Sequence, residues 1–314
     1  MSAISPAATL PAPAATPGWS ASATLRFSQR EGRTHHQGGA SAPLKLLRAY
    51  AQRSGHCELP LLHTAGGLVG GDVLNLNAEL DPGSRALITT VAAQKVYGSV
   101  RRSRSHPEGR WAEQHLRLKL AAGSDLEWLP QELVLYADAL YRQHQEVELE
   151  EGASFLAMDV VRLGRTAAGE GLGDGRWRSS LAIRRRGAGD GAARWELVDR
   201  LELGGEALAG EHGMAGEPVL GSLVWAAPTP LRAEALSALL EQARLARTGL
   251  EGTMACGALE QGLVARYRGP SSQAARFWFC RLWALIRQER GLPPPELPRV
   301  WPFQEEPLNS SGAG

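Results

Sequence analysis

His63-Thr64-Ala65-Gly66-Gly67-Leu68-Val69-Gly70-Gly71-Asp72 places four glycines within six positions and ends on a carboxylate. Glycine lets the backbone take positive φ and pass close to a partner, as it does where a loop cradles a phosphate. A P-loop, however, needs a Lys-Ser or Lys-Thr pair after its last glycine, and Asp72 stands there instead. It also needs a helix whose N-terminus faces the anion, whereas Val73-Leu74-Asn75-Leu76 reads as a strand. The segment is therefore expected to form a tight corner where two sheet layers meet. Asp72 is left over by that reading, because a turn alone has no use for an ionised group.

Other reactive groups are scattered. Asp159 sits mid-strand among Leu156, Ala157, Met158, Val160 and Val161. A carboxylate there is costly to bury unless hydrated or paired, so either a water-filled channel or an ion pair with Lys95 or Arg165 is expected. Gln131 and Glu132 follow Pro130, which keeps the chain extended or turning, and are expected to tie down a corner. Were Glu132 and Asp159 to converge across a cleft, they would form an acid–base pair of the kind that cleaves sugars or phosphate esters. His35 and His36 are adjacent, so a strand would point them to opposite faces and they read as surface groups. His63 is the fairer metal-ligand candidate, although a hydrogen bond to a backbone carbonyl is the first expectation for it. Cys57, Cys256 and Cys280 have no CxxC spacing and fit a reducing compartment. Arg101, Arg102, Arg104 and Arg184–Arg186 lack interleaved aromatics, so they read as solvated loop charges and not as RNA contacts.

The elements that must position these groups are mostly strands. Gln114-His115-Leu116-Arg117-Leu118-Lys119-Leu120 puts three leucines on one face, and Glu146-Val147-Glu148-Leu149-Glu150 alternates in the same way. Similar runs occur at 23–27, 73–80, 86–91, 154–163, 177–183 and 194–203, separated by turns such as Asp81-Pro82-Gly83 and Glu151-Gly152. The glycine-rich 184–194 reads as a hairpin loop. Such a chain is expected to be mainly β, a stacked-sheet or β-helix-like scaffold of many short strands, with no repeat strict enough to choose between the two. Two α-helices are expected near the C-terminus. The first opens with Thr229 as N-cap and Pro230 at its first position and stops before Gly249. A β pair at 253–259 and 263–268 precedes the second, which runs from Ser271 or Ser272 to Arg290. Its Phe277-Trp278-Phe279-Cys280-Arg281-Leu282-Trp283 is apolar on nearly every side, so that helix is either deeply buried or holds a partner. Residues 1–21 form an Ala/Pro-rich lead-in without the basic start or apolar core of a signal peptide, 22–302 one β-rich domain, and 303–314 a loose tail. The formal net charge of +1 argues against nucleic acid or an anionic membrane as partner, and no run reaches the length of a spanning helix. A cytoplasmic location is expected.

Several of these segments, in order, resemble the UreD (UreH) family of urease accessory proteins. Residues 63–72 look like its H-x-x-GG-hydrophobic-hydrophobic-GGD signature. Leu87–Ser99 is similar to its TT-x-x-A-x-K-x-Y-x-S stretch, Leu126–Leu133 to its WLPQE segment, and Ser154–Glu170 to its LGR-x-A-x-GE element. Arg276–Trp301 carries a hydrophobic helix and a closing Pro-Arg-Val-Trp of the family's kind. The likeness spans roughly residues 22–302. It departs at Thr64 and Ala65, often prolines in the family, at Gly98, often basic, and at Asp159, usually glutamate.

The resemblance implies stacked β-sheets with two late helices, and a metallochaperone role without catalytic turnover. It implies binding to apo-urease, composed of UreA, UreB and UreC, together with UreF and the GTPase UreG. Ni²⁺ would be a transient cargo, with no permanently bound cofactor, and an internal channel its route. Ni²⁺ favours imidazole, carboxylate and water ligands. A nanomolar stop along a conduit would be a well about 12 kcal/mol deep, so single carboxylates are expected and no tight site. Asp72, Glu170 and Asp159 are the candidate passage carboxylates. His63, Gly66, Gly67, Gly70, Gly71, Lys95, Tyr97, Pro130, Gln131, Glu132, Gly164, Arg165 and Gly169 carry the motifs, and Phe277, Trp278 and Trp283 are the candidate docking face. Two other readings remain: a carbohydrate- or phosphate-acting enzyme on a β-solenoid, and an interaction module that only stabilises urease.

Overall fold

Alternation of apolar and polar side chains decides most of the structure, a computed structural model that describes residues 18–187, 192–301 and 307–308. The chain begins with β1 (Ser20–Arg30), β2 (Arg33–Ala40), β3 (Leu44–Leu46), β4 (Tyr50–Ala51) and β5 (Cys57–His63). There follow β6 (Val73–Leu80), β7 (Arg85–Thr90), β8 (Gln94–Val96), β9 (Ala112–Leu120) and β10 (Asp125–Leu129). Next come β11 (Leu133–Leu135), β12 (Leu140–Leu149), β13 (Ser154–Leu163), β14 (Arg176–Arg185) and β15 (Arg194–Leu203). A short α1 (Glu206–Ala209) leads to β16 (Val219–Ala226), α2 (Ala233–Leu245), β17 (Thr253–Leu259), β18 (Gly262–Gly269) and α3 (Ser272–Glu289). The lead-in up to residue 17 and the tail, apart from 307–308, lie outside the described residues, as does part of the expected 184–194 loop.

The first sheet has the order β15-β14-β12-β9-β6-β1-β2, and the second β17-β18-β16-β13-β10-β7-β5-β3 with β4, β8 and β11 attached. From β5 to β14 the longer strands alternate between sheets, each pairing in parallel with the one before it in its own sheet. This is the winding of a β-helix, with antiparallel strands closing it at both sides. Register pairs Val73 with Glu113, Ala112 with Tyr141 and Leu140 with Arg176, so the coils differ in length. Unequal coils leave no fixed sequence period.

The two sheets differ in what covers them. Strands of the first keep one face in water: β12 buries Tyr141, Val147 and Leu149 and turns Glu146 outward. In the second sheet β13 is buried on both faces over most of its length, because α2 and α3 cover its outer side. Phe155, Leu59, Leu116 and Ile183 fill one part of the space between the sheets, and Leu68, Val96, Leu135 and Leu163 another. Trp225, Trp278, Trp283 and Tyr267 pack between the second sheet and the helices.

Ser271 caps α3 by accepting the Ala274 amide at 3.1 Å, at the start that the sequence places at Ser271 or Ser272. The cap expected at Thr229 does not form: α2 begins at Ala233 after an extended Arg232 with no side-chain cap. The arginines at 184–186 are not all solvated loop charges. Arg184 and Arg185 belong to β14, and Arg185 is buried against Glu196 at 2.6 Å with the Ala153 and Ala227 carbonyls at 2.8 Å. No described helix is long and apolar enough to cross a membrane.

Candidate functional site

The glycine segment turns the chain from β5 in the second sheet to β6 in the first, with no helix after it. Gly71 has φ +101°, and a Cβ there would lie 2.5 Å from the Arg110 guanidinium carbon; one at Gly70 would meet the Ser99 hydroxyl at 2.2 Å. The corner is built around the carboxylate. Asp72 Oδ1 accepts the Trp19 amide and Oδ2 the Val69 amide, both at 2.8 Å, and the side chain is buried. Asp72 thus ties the entry of β1 to the corner, which supplies the use for an ionised group that a turn alone lacks. Leu68 meanwhile exchanges bonds with Lys95 and Tyr97, so the motif docks on β8.

Glu170 lies elsewhere. Its carboxylate grips the Arg165 guanidinium, with Nε at 2.8 Å, and that guanidinium stacks 4.7 Å from the Tyr136 ring. Tyr136 meets Tyr97 edge-on at 5.0 Å, and the Tyr97 hydroxyl donates to the Gly66 carbonyl at 3.4 Å. This chain of contacts links the two glycine-containing motifs. Gly164 has φ +92° and Gly169 is left-handed at the end of a 3₁₀ turn. Glu170 borders a surface groove with Thr166, Gly169, Gly171 and Pro218.

Asp159 is the carboxylate that meets an internal space. A cavity of about 340 Å³ lies between the sheets, walled by Leu74, Leu76, Gln114, Tyr141 and Gln143 from one side and Leu61, His63, Thr90, Trp128 and Asp159 from the other. Gly66, Lys95, Pro130 and Gln131 also line it; Asp72, Glu132 and Glu170 are not among the lining residues. Asp159 Oδ2 accepts from the carboxamides of Gln145 at 2.9 Å and Gln143 at 3.2 Å. The ion pair expected with Lys95 or Arg165 is not made: Arg165 holds Glu170, and the two glutamines take its place. Burial pushes the Asp159 carboxyl up to about 6, against the pull of the two carboxamides and of Arg266.

Around the same cavity, polar atoms lie buried without protein partners. Among the described residues His63 Nδ1 and Nε2, Trp128 Nε1, Gln131 Nε2 and Gln143 Oε1 all lack a hydrogen bond. His63 does not make the backbone bond expected of it; burial lowers its pKa, with the Asp72 charge opposing, so it is neutral at pH 7 with a lone pair to offer. Buried polar groups are almost always satisfied, so five orphans on the residues around one space point to a hydrated cavity or an absent guest. Gln143 and Gln145 escaped the sequence reading. Their signal was the alternation at Val147 and Leu149: carried back along β12, it puts Gln145, Gln143 and Tyr141 on the inward face.

Gln131 and Glu132 do tie down a corner, and their partner is a helix. Arg276 of α3 donates to both, reaching Glu132 Oε1 at 2.8 Å, and lies 4.9 Å from the Trp301 ring. Glu132 and Asp159 therefore do not form a catalytic pair, since Glu132 faces α3 and Asp159 the cavity. Further along α3, Arg287 grips the buried Glu127 at 2.7 and 2.5 Å, and Arg290 grips Asp125 at 2.9 and 2.8 Å. His56 lies 3.0 Å from Asp125.

Phe277, Trp278 and Trp283 are not a docking face. All three are buried, with Trp278 Nε1 on the Ala243 carbonyl at 2.9 Å and Trp283 Nε1 on Glu127 at 2.7 Å. The aromatics are spent on α2 and the outer face of the second sheet.

Comparison with known proteins agrees with the resemblance in the motifs. The family model described as UreD urease accessory protein matches residues 20–302. A protein of Synechococcus sp. (strain WH7805) named urease accessory protein UreD is 61% identical over 299 residues, covering 93% of this chain and 94% of its own. Its namesake in Parasynechococcus marenigrum (strain WH8102) is 61% identical over 290 residues, at 92% and 93% coverage. That of Prochlorococcus marinus (strain MIT 9313) is 59% identical over 273 residues, at 87% and 85%.

Proposed function

Because this chain belongs to the UreD family of urease accessory proteins, we propose that it serves urease maturation as a non-catalytic scaffold for nickel delivery. It binds apo-urease (UreA, UreB and UreC) together with UreF and UreG in the cytoplasm, and Ni²⁺ passes through the cavity at Asp159. The observation that carries this reading is the cavity itself: it is lined by one carboxylate with a raised pKa and by residues carrying five buried polar atoms that no described protein group satisfies.

The donor types suit the cargo. Ni²⁺ takes imidazole nitrogen, carboxylate oxygen and water, which His63, Asp159 and cavity water offer. Both carboxamide bonds to Asp159 fall on Oδ2, leaving Oδ1 for a guest. A single carboxylate, in a cavity that Lys95 also lines, makes a shallow station, from which an ion escapes quickly, where a chelating cluster would hold it. Asp72 and Glu170 are the structural members of this scheme: the first clamps the corner beside the cavity, and the second holds Arg165 against Tyr136.

The test is maturation of urease with Asp159→Ala in place of the native chain. Native pull-down should recover the same assembly, while metal analysis finds severalfold less nickel per urease active site. Unchanged nickel content would end the passage role. Failure of the native chain to associate with UreF, UreG and apo-urease would end the scaffold role as well.

A further inference from the structure

Polar chemistry between the sheets does not stop at Asp159. Register sets Asp159 beside Ser222 on β16 and Ser222 beside Arg266 on β18, one rung across three neighbouring strands. In the facing sheet Gln145, Leu181 and Asp199 form a second rung across β12, β14 and β15. The two rungs are joined at both ends. Gln145 reaches Asp159 at 2.9 Å, and Arg266 Nη2 reaches Asp199 Oδ2 at 2.5 Å while its Nη1 donates to the Ser222 hydroxyl.

The outer junction stands at the rim of the sandwich. β15 is the last strand of the first sheet and β18 the last but one of the second. Arg266 and Asp199 are 36% and 37% exposed, so the pair touches solvent on one side and, through Ser222, the Asp159 rung on the other. The cavity ends at Asp159, and neither Ser222 nor Arg266 lines it. The Arg266 guanidinium thus lies between cavity-lining Asp159 and solvent, one strand beyond Ser222, and holds positive charge on the line a cation would take from the rim to that carboxylate.

Resting on the passage reading above, we propose that the Arg266–Asp199 pair plugs a mouth of the cavity at the edge between β15 and β18. With the plug in place the cavity is blind on this side. Rotation of the Arg266 side chain into solvent joins Asp159 to the rim. A pair this exposed is weakly held, so its opening needs no change in the sheets.

Access is measured with a thiol at the half-buried Ser222, beneath the pair. Ser222→Cys is made in the full chain, alone and combined with Arg266→Ala or Asp199→Asn, and its alkylation is followed by peptide mass mapping. Because Arg266 also alters thiolate content, the comparison uses the limiting rate at high pH. The plug predicts a rate about tenfold higher in both combined variants than with the pair intact. Cys280, fully buried in α3, is the internal control against general unfolding. Equal rates in the three backgrounds, or a thiol already reacting like a free peptide with Arg266 in place, would overturn the plug. The readout involves no nickel: faster access in the variants, together with unchanged nickel delivery on Asp159→Ala, would leave the plug standing and remove the passage.

Discussion

Consider Asp159→Asn, which removes the charge at the cavity wall and keeps the side-chain shape and an acceptor for the Gln145 or Gln143 carboxamide. The native carboxyl titrates near 6 in the folded chain against 3.8 for the unconstrained group. A raised folded pKa on an acid means that its ionised form is disfavoured by folding. The folded chain holds the proton more tightly, so stability is lost as pH climbs from the lower pKa to the higher one and does not recover above it. The shift corresponds to a ceiling of about 3 kcal/mol; water in the cavity reduces it, and about 1–2 kcal/mol is expected. Asparagine carries no such cost. The variant should therefore be more stable than the native chain at pH 8, by several degrees in Tm. The gap should shrink by roughly half at pH 5, where the native carboxyl is mostly protonated when folded.

Denaturant melts of both chains at pH 5 and pH 8 check this. A gap independent of pH would mean that the carboxyl is not held high. An asparagine variant less stable than the native chain at pH 8 would mean that the ionised group has a net favourable contact, Arg266 being the nearest candidate. Either result refutes the reasoning. The expected one has a functional counterpart, since the substitution that relieves the fold also withdraws the charge that the proposed passage offers to nickel.

Two further predictions concern the supports of the site. Asp72→Ala strands the Trp19 and Val69 amides and should cost about 3 kcal/mol, each bond to the carboxylate being worth about 1.5–3 kcal/mol; urea denaturation of Asp72→Ala and Asp72→Asn should rank the asparagine between alanine and the native chain. Arg287→Ala leaves the Glu127 carboxylate buried beneath α3 and should cost about 3–5 kcal/mol, with proteolysis rates at the α3 boundary rising accordingly.

The elements were legible in the sequence and their juxtapositions were not, for reasons that differ from place to place. Strand runs such as Gln114–Leu120 and Glu146–Leu149 follow from local alternation, and Ser271 marks the start of α3 by its own side chain. The use of Asp72 depends on Trp19, far away in the chain, which comes beside it only when β1 pairs in parallel with β6. Arg185 looked like a loop charge because glycines follow it, yet the carbonyls of Ala153 and Ala227 draw it inward. No local pattern carries that information.

The buried aromatic helix is the instructive case, since the sequence held the answer in another segment. Phe277–Trp283 alone cannot distinguish burial in the core from display to a partner. Ser154–Leu163 can, because it is apolar at consecutive positions where a half-solvated strand would alternate. Such a strand requires cover on both faces. One is met by the facing sheet, and the second needs a layer that the β-rich part of the chain has no material left to build. Only the late helices remain to supply it, and Trp278 and Trp283 are the side chains that do so. The same logic, applied inward, isolates Asp159: on a strand covered on both sides, the one carboxylate must face either a partner or a space, and here two glutamines from the opposite sheet hold it at the edge of a cavity.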